Sequence, residues 1–317
     1  MKTFTLAAMA AGLFTAAIGP VSALERDEVN KAQYAEGEAS EAVVLKLQIL
    51  LDRAHFSPGL IDGHEGKNTE IAFKAFEAKA GLPVDGKIDT DTWGKLQDGE
   101  DVLTTYTITE DDVNGPFVDS IPDEYSDMAK MKALSYTNPA ELLSEKFHMD
   151  MELLKTLNPK ADFGKAGEEI VVANVGKQAR KKVNRIEVDK TEGLVRAYSG
   201  DELVAAYPAT IGSESTPSPS GTMEVEGVAR DPEYNYDPEV LHGKHGDKPL
   251  VLPPGPNGPV GTVWIELTKE TYGIHGTPTP DTIGREQSSG CVRLTNWDAE
   301  ELADLVKPGI KVAFLED

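Results

Sequence analysis

Gly273-Ile274-His275-Gly276-Thr277, followed further along by Ser288-Ser289-Gly290-Cys291-Val292-Arg293-Leu294, is the stretch on which the reading of this chain turns. It lies in a C-terminal region whose hydrophobic pattern alternates. Arg185-Ile186-Glu187-Val188, Gly193 to Tyr198 and Glu202 to Tyr207 have the period of half-buried strands. Thr222 to Glu226, Val260 to Leu267 and Lys311 to Leu315 are further strands. Trp297 to Val306 is a single helix ahead of Pro308-Gly309. The pattern predicts a mainly β domain with one flanking helix. Within it, Cys291 and His275 stand sixteen positions apart, so a loop that folds back brings them together. A free thiol is mostly protonated near neutral pH, and an imidazole within reach makes it a nucleophile or removes its proton during attack. The same imidazole then returns a proton to a leaving amine. Gly290 lets backbone approach the thiol closely, and the N–H groups around Cys291 are candidate donors to an oxyanion.

The rest of the composition sets the surroundings. Lys2 and the apolar run Phe4 to Ile18, broken by Pro20 and followed by Val21-Ser22-Ala23, read as a signal peptide over 1–23. No later stretch reaches spanning length, so the mature chain is expected in the periplasm or cell envelope with no transmembrane segment. With 31 Lys and Arg against 54 acidic residues, the net charge of −23 argues against nucleic acid as a partner. The chain has one Cys and so no internal disulfide; an exported lone thiol is either buried or used. His242 and His245 have a spacing that suits metal ligands, but they sit in a Gly-, Pro- and Asp-rich loop with no third ligand at a recognisable offset. They read as surface or cleft histidines. His55 and His64 carry no signal, and His148 reads as packed or exposed.

Upstream, the period is helical. Ala42 to Ala54, Thr69 to Ala80 (closed by Gly81) and Asp91 to Leu96 are predicted helices, separated by the Asp62-Gly63 and Asp85-Gly86 turns. Residues 99–135 are acidic and turn-rich, in part linker. Pro139 to Phe147 and Met149 to Leu157 are helical, and Gly167 to Val172 is a short strand. The order L-Q-x-L-L-D, F-S-P-G-x-I-D-G, A-F-x-x-F, G-L-x-x-D-G and T-W-x-x-L resembles a small helical peptidoglycan-binding domain, over 38–98. Tyr106-Thr107-Ile108, E-L-L-S-E-K-F-H-M-D, L-L-K-T-L-N-P and A-G-E-E-I-V-V are similar to a LysM glycan-binding module, over 103–175, interrupted by an insertion around 110–135.

The strings that opened the reading resemble the signature of YkuD-type L,D-transpeptidases. The likeness extends upstream to T-P-S-P-S-G at 216–221 and V-L-P-P-G-P-N-G-P-V-G-T at 251–262, and downstream to K-P-G-I-K-V, so it covers 183–317. It implies a multidomain chain whose catalytic domain is a YkuD-like β-sandwich with one flanking helix. It implies Cys291 as nucleophile and His275 as base, with Gly276, Thr277, Ser288, Ser289, Gly290 and Arg293 as substrate-binding candidates. Ser289 stands where many members carry a second His. Arg293 reads as a substrate-carboxylate or ion-pairing residue, or as half of a structural salt bridge. The reaction implied is acyl transfer from a peptidoglycan stem tetrapeptide to the amine of another stem, with no metal or cofactor. Acylation of the thiol by carbapenems is implied as well. Hydrolysis by water, transfer to an envelope protein's amine, and an inactive wall-binding scaffold are the alternatives.

Overall fold

The computed structural model describes residues 24–37, 39–212, 216–240 and 245–316. The signal-peptide reading and His242 therefore lie outside the described residues.

The N-terminal part opens with α1 (Arg26–Lys31), which buries Val29 completely. Helices α2 (Glu41–Arg53), α3 (Lys67–Ala80) and α4 (Thr90–Leu96) follow. Ser40 and Asp89 cap α2 and α4 by accepting from the Val43 and Thr92 N–H groups, satisfying donors that the first helical turn leaves open. Gly81 ends α3 at φ +68°, a left-handed position that glycine adopts without a Cβ penalty.

Next come β1 (Leu103–Thr107), α5 (Glu110–Asn114), α6 (Tyr125–Met128), α7 (Pro139–Lys146), α8 (Met151–Leu157) and β2 (Glu169–Ala173). Strands β1 and β2 pair antiparallel, Leu103 opposite Ala173. The two N-terminal parts are not independent bodies. Leu45, Ile49, Phe73, Leu103, Leu143, Leu154 and Val172 belong to one hydrophobic cluster, which also takes in Leu203 and Ala206 from the β domain. Ile61 and His148 are tied by backbone, with the Ile61 N–H donating to the His148 carbonyl and the Asp150 N–H to the Ile61 carbonyl. A boundary drawn between them cuts through a shared core.

The C-terminal part holds β3 (Arg185–Asp189), β4 (Leu194–Ser199), β5 (Glu202–Pro208), β6 (Gly221–Arg230), β7 (Tyr234–Tyr236), β8 (Leu250–Leu252), β9 (Val263–Leu267), β10 (Gly273–His275), β11 (Val292–Arg293), α9 (Asn296–Leu305) and β12 (Lys311–Leu315). Among the described residues, eight strands form one sheet in the order β11-β10-β9-β6-β12-β3-β4-β5. One continuous curled sheet thus takes the place of the two separate layers of a sandwich. The long β6 pairs with both β12 and β9, and its register shifts between Val225 and Gly227. A bulge of this kind bends a strand and raises its twist, so β6 carries the sheet around its core. That core joins Ile186, Val195, Val225, Ile265, Ile274 and Val292 to Leu302 and Leu305 of α9.

Two contact regions lock the parts together. Residues 99–135, expected in part as linker, instead pack: Ile121, Tyr125, Met128, Met131 and Leu134 lie on Tyr236 and Leu252. Their composition is polar, but their apolar residues divide between this satellite core and the N-terminal one, which takes Val102, Leu103 and Ile108. Behind the sheet, Asp52 of α2 meets His148 Nδ1 at 3.0 Å, and His148 stacks on Trp297 of α9 at 5.1 Å. Ser57 Oγ donates to Asp298 at 2.9 Å, and His55 Nδ1 lies 3.0 Å from Glu301. His148 therefore is packed, and His55, which carried no signal, holds an inter-part ion pair.

Candidate active site

Strands β10 and β11 run parallel with Ile274 opposite Val292 and His275 opposite Arg293. Ile274 and Val292 are buried in the sheet core. Successive side chains alternate faces, so Gly273, His275, Cys291 and Arg293 share the other face. The strand pairing, rather than the loop between them, is what assembles the sequence-predicted pair.

Cys291 stands at the end of a braced turn. Gly290 adopts φ +115°, and a Cβ there would lie 2.9 Å from the Tyr272 ring, so only glycine fits. The Ser288 hydroxyl donates to the Cys291 carbonyl at 2.5 Å and accepts from the Gly290 N–H at 3.1 Å. Ser218 Oγ donates to the Gly290 carbonyl at 2.7 Å, and Thr216 Oγ1 to the Ser288 carbonyl at 3.1 Å. The segment 216–221 is thus a cradle for the cysteine turn. Ser288, only 4 % exposed, has its hydroxyl engaged inside the turn, which makes it a brace rather than a substrate contact. The Gly290 N–H is likewise taken. Thr277, also buried, exchanges its hydroxyl with Thr279 at 3.2 Å. Ser289 is exposed. Gly276 is pressed against α9: a Cβ on it would lie 2.2 Å from Asn296 Oδ1.

The protonation states follow from the surroundings. His275 Nδ1 lies 2.7 Å from the Gly276 carbonyl, which can only accept. Nδ1 therefore carries the proton of the neutral ring, and Nε2 keeps its lone pair. The ring stacks on Trp264 at 5.5 Å. Burial, and then the positive charge of Arg293, pull its pKa down to about 4, so it is a neutral base at neutral pH. Burial pushes the Cys291 thiol up, against the downward pulls of the Gly273 N–H and Arg293. The resting pair is thus thiol and imidazole, not thiolate and imidazolium. Cys291 Sγ donates to the Thr271 carbonyl at 3.7 Å, and among the described residues no hydrogen bond joins it to His275. Neighbours two positions apart across paired strands sit on the order of 7 Å apart. A change of the cysteine rotamer shortens that gap, and such contacts commonly tighten only with substrate bound.

Arg293 makes no ion pair and no side-chain hydrogen bond among the described residues, so the structural salt bridge is not formed. Its guanidinium is half-buried beside the thiol and imidazole, electrostatically coupled to both. His245 stacks on Tyr125 at 3.7 Å, and no group of three or more His, Cys, Asp and Glu among the described residues is arranged to hold a metal. Sequence reasoning gave no role to Trp264, Thr271 or Asn296. Ser218 lies in the quoted T-P-S-P-S-G string and was visible there as a motif without a role.

Known proteins are similar to this chain in sequence. The L,D-transpeptidase catalytic domain family YkuD matches residues 183–313, and a putative peptidoglycan binding domain matches 40–96. The putative L,D-transpeptidase YkuD of Bacillus licheniformis is 31% identical over 175 residues, which is 55% of this chain and 91% of that protein. This chain belongs to the YkuD L,D-transpeptidase family. The probable L,D-transpeptidase ErfK/SrfK of Escherichia coli is 28% identical, over 57% of this chain and 60% of its own. Among solved structures, L,D-transpeptidase 3 from Mycobacterium tuberculosis aligns with a TM-score of 0.36 at 16% identity, over 48% of this chain and 76% of that one. As an L,D-transpeptidase family member, the chain pairs this catalytic domain with a peptidoglycan-binding domain.

Proposed function

We propose that this L,D-transpeptidase works through Cys291, with His275 as general base, and crosslinks peptidoglycan stems. The observation that carries the reading is the free Nε2 lone pair of a neutral His275 on the same sheet face as the thiol. As sulfur attacks the donor carbonyl, its proton passes to Nε2 and an S–C bond forms. The imidazolium gives that proton to the departing amine of the terminal D-alanine as the C–N bond breaks, leaving a thioester. An acceptor amine then attacks, losing its proton to His275, and the sulfur leaves and is reprotonated. Arg293, which forms no ion pair among the described residues and lies opposite His275 in the strand register, is suited to a carboxylate of the stem peptide.

In this reading, residues 1–23 are a signal peptide, and the mature chain works in the periplasm or cell envelope. Residues 38–98 hold the enzyme on the wall. Residues 103–175 are a LysM-like module: two antiparallel strands flank α7 and α8, with α5 and α6 inserted after the first strand, which supports the reading. The catalytic domain runs from 183 to 317. Water or a protein amine in place of the stem amine gives a carboxypeptidase or an envelope-anchoring enzyme. An inactive scaffold is disfavoured by the intact cysteine and histidine.

The test is a disaccharide-tetrapeptide turnover assay with product masses. Cys291→Ala should abolish transfer while retaining the fold, and turnover at the wild-type rate in that variant overturns the assignment. A carbapenem should add one drug mass to the intact protein. The adduct should vanish in Cys291→Ala and persist in Ser289→Ala; mapping to Ser288 or Ser289 would remove the cysteine mechanism.

A further inference from the structure

His275 offers a lone pair at Nε2 only while Nδ1 keeps its proton, and the group that holds this proton is the Gly276 carbonyl. What fixes Gly276 lies outside β10. Its N–H donates to the Val263 carbonyl of β9 at 3.3 Å. Its Cα side is closed by Asn296 and Gly261. A Cβ on Gly276 would lie 2.2 Å from Asn296 Oδ1. One on Gly261 would lie 1.9 Å from the same oxygen and 2.8 Å from the Gly276 carbonyl carbon. Asn296, only 2 % exposed, is thus wedged against the peptide that sets the His275 tautomer.

The partners of the Asn296 amide set which way it points. Oδ1 accepts from the Thr262 N–H at 3.3 Å. Nδ2 donates to Glu145 Oε2 at 3.0 Å and Oε1 at 3.3 Å, and to the Pro256 carbonyl at 3.2 Å. A flipped amide would set its oxygen against three acceptors and its nitrogen against a donor, so these partners keep the oxygen on the glycines. Glu145 comes from α7, far upstream of the catalytic part, and its Oε2 also accepts from the Tyr136 hydroxyl at 3.2 Å. Burial, opposed by the bonds from Asn296 and Tyr136, pushes the Glu145 carboxyl up to about 7, so near neutral pH it serves as an acceptor rather than as a permanent anion.

The Pro256 carbonyl is held from the same upstream part. The Leu134 N–H donates to the Pro254 carbonyl at 2.8 Å, and the Asn257 N–H returns a bond to the Leu134 carbonyl at 2.9 Å. Asn257 Nδ2 adds bonds to the Ser135 carbonyl at 3.0 Å and to Glu141 at 2.6 Å. Every acceptor of Asn296 Nδ2 is therefore supplied or braced by residues 134–145.

We infer that Glu145 is a positioning residue for His275, acting through Asn296 and the Gly276 peptide, so that the module before the catalytic domain completes the base. The inference rests on the reading of His275 as the general base. Neither Glu145 nor Asn296 touches the reacting atoms.

The experiment uses the full-length chain as wild type, Glu145→Leu, Glu145→Gln, Asn296→Ala and His275→Ala. It measures kcat and KM on the disaccharide-tetrapeptide, thermal melting, and the ring-nitrogen chemical shifts of His275, assigned by their absence from His275→Ala. Glu145→Leu should lower kcat about tenfold and Asn296→Ala up to about a hundredfold, each with KM within about threefold, because a misaimed base weakens the chemical step and not the binding of substrate. Both should convert the single Nδ1-protonated ring of wild type into a mixture of tautomers. Glu145→Gln keeps an oxygen for Asn296 and should restore kcat and tautomer to near wild type. The two disruptive variants alter opposite ends of one bridge, so either that folds decides the matter. Wild-type kcat and tautomer in that variant overturn the proposal. So does a loss of kcat with the tautomer unchanged, which makes the bridge a support of the fold alone, and so does a loss in Glu145→Gln as large as in Glu145→Leu. Wild-type turnover in His275→Ala overturns the underlying reading of the base, a result separable from the others.

Discussion

Two histidines in this chain are packed almost identically, yet their pKa values are pushed in opposite directions. His275 stacks on Trp264 and His148 stacks on Trp297, each ring nearly parallel to its indole. Burial lowers the pKa of both, since it penalises the cation. Beside His275 the next influence is Arg293, also lowering, and the result is about 4. Beside His148 it is Asp52, with Asp298 and Glu301 behind it, and the result is raised above the ordinary value. The first ring is held neutral with an open lone pair; the second is held as a cation in an ion pair between chain parts. Aromatic packing and burial are common to the two, so neither marks a catalytic histidine. The sign of the nearest charge is what separates them.

The largest effect expected from this contrast is an exchange of consequences on mutation. His275→Ala should cut turnover by about a thousandfold, within the span of general-base losses, with little change in melting temperature. His148→Ala should leave kcat within a few-fold but cost about 3 kcal/mol, because Asp52 is left buried without its cation. Melting curves and turnover measured on the same two samples decide it. Equal loss of activity in both variants would erase the distinction.

A second test uses pH. Burial, and then the Asp52 carboxylate, push the Asp298 pKa up to about 8, well above its unfolded range. The folded state therefore holds a proton that the unfolded state releases, and stability falls as pH rises from about 4 to about 8. His148, raised in the folded state, has the same sign: its contribution is complete below the ordinary histidine value and is lost as pH climbs through the raised one. Glu301, held low mainly by His55 against its burial, acts the other way, but only below the ordinary carboxylate range. Below about pH 6.5 the lowered pKa of His275 works in the opposite direction, so melting temperature should decline between about pH 6.5 and 8.5. Asp298→Asn keeps an acceptor for Ser57 without the charge, and should melt about 3 °C higher than wild type at pH 8.5, the change expected for about 1 kcal/mol in a chain of this size. A wild-type curve flat over that interval would mean that the junction does not titrate.

The two regions also differ in how far the sequence disclosed them. Cys291 and His275 sit in local strings with distinctive neighbours, so the chemistry proposed for them could be read before any fold. The strands that pair them were not: β10 and β11 have three and two residues, too few to display a period. The alternation of β3 to β5 and the capped helices α2, α4 and α9 were legible because each is encoded within its own segment. His55 and His148 meet partners 246 and 96 positions away, and nothing near them in sequence implies those partners. Residues 99–135 misled for a related reason. Their acidic composition reads as solvated, and the apolar residues that dock are too sparse to form a stripe.

The smallest expected effect is also the most direct probe of why the two histidines differ. If Arg293 helps to hold His275 neutral, replacing it by a neutral side chain of similar length must move the titration in a known direction. Arg293→Gln removes a cation that lowers the pKa of both His275 and the Cys291 thiol. Both groups should therefore titrate at higher pH in the variant. Iodoacetamide alkylation of Cys291, followed from pH 4 to 10, reads both without involving peptide binding. On the acid side the wild-type rate should hold until pH approaches about 4, where His275 takes its proton; in Arg293→Gln the fall should begin at higher pH. On the alkaline side, where free thiolate adds to the rate, the rise should also begin at higher pH. A shift of the two limbs in opposite directions, or no shift of either, would mean that Arg293 does not set the charge of this pair, and the neutrality of His275 would then rest on burial alone.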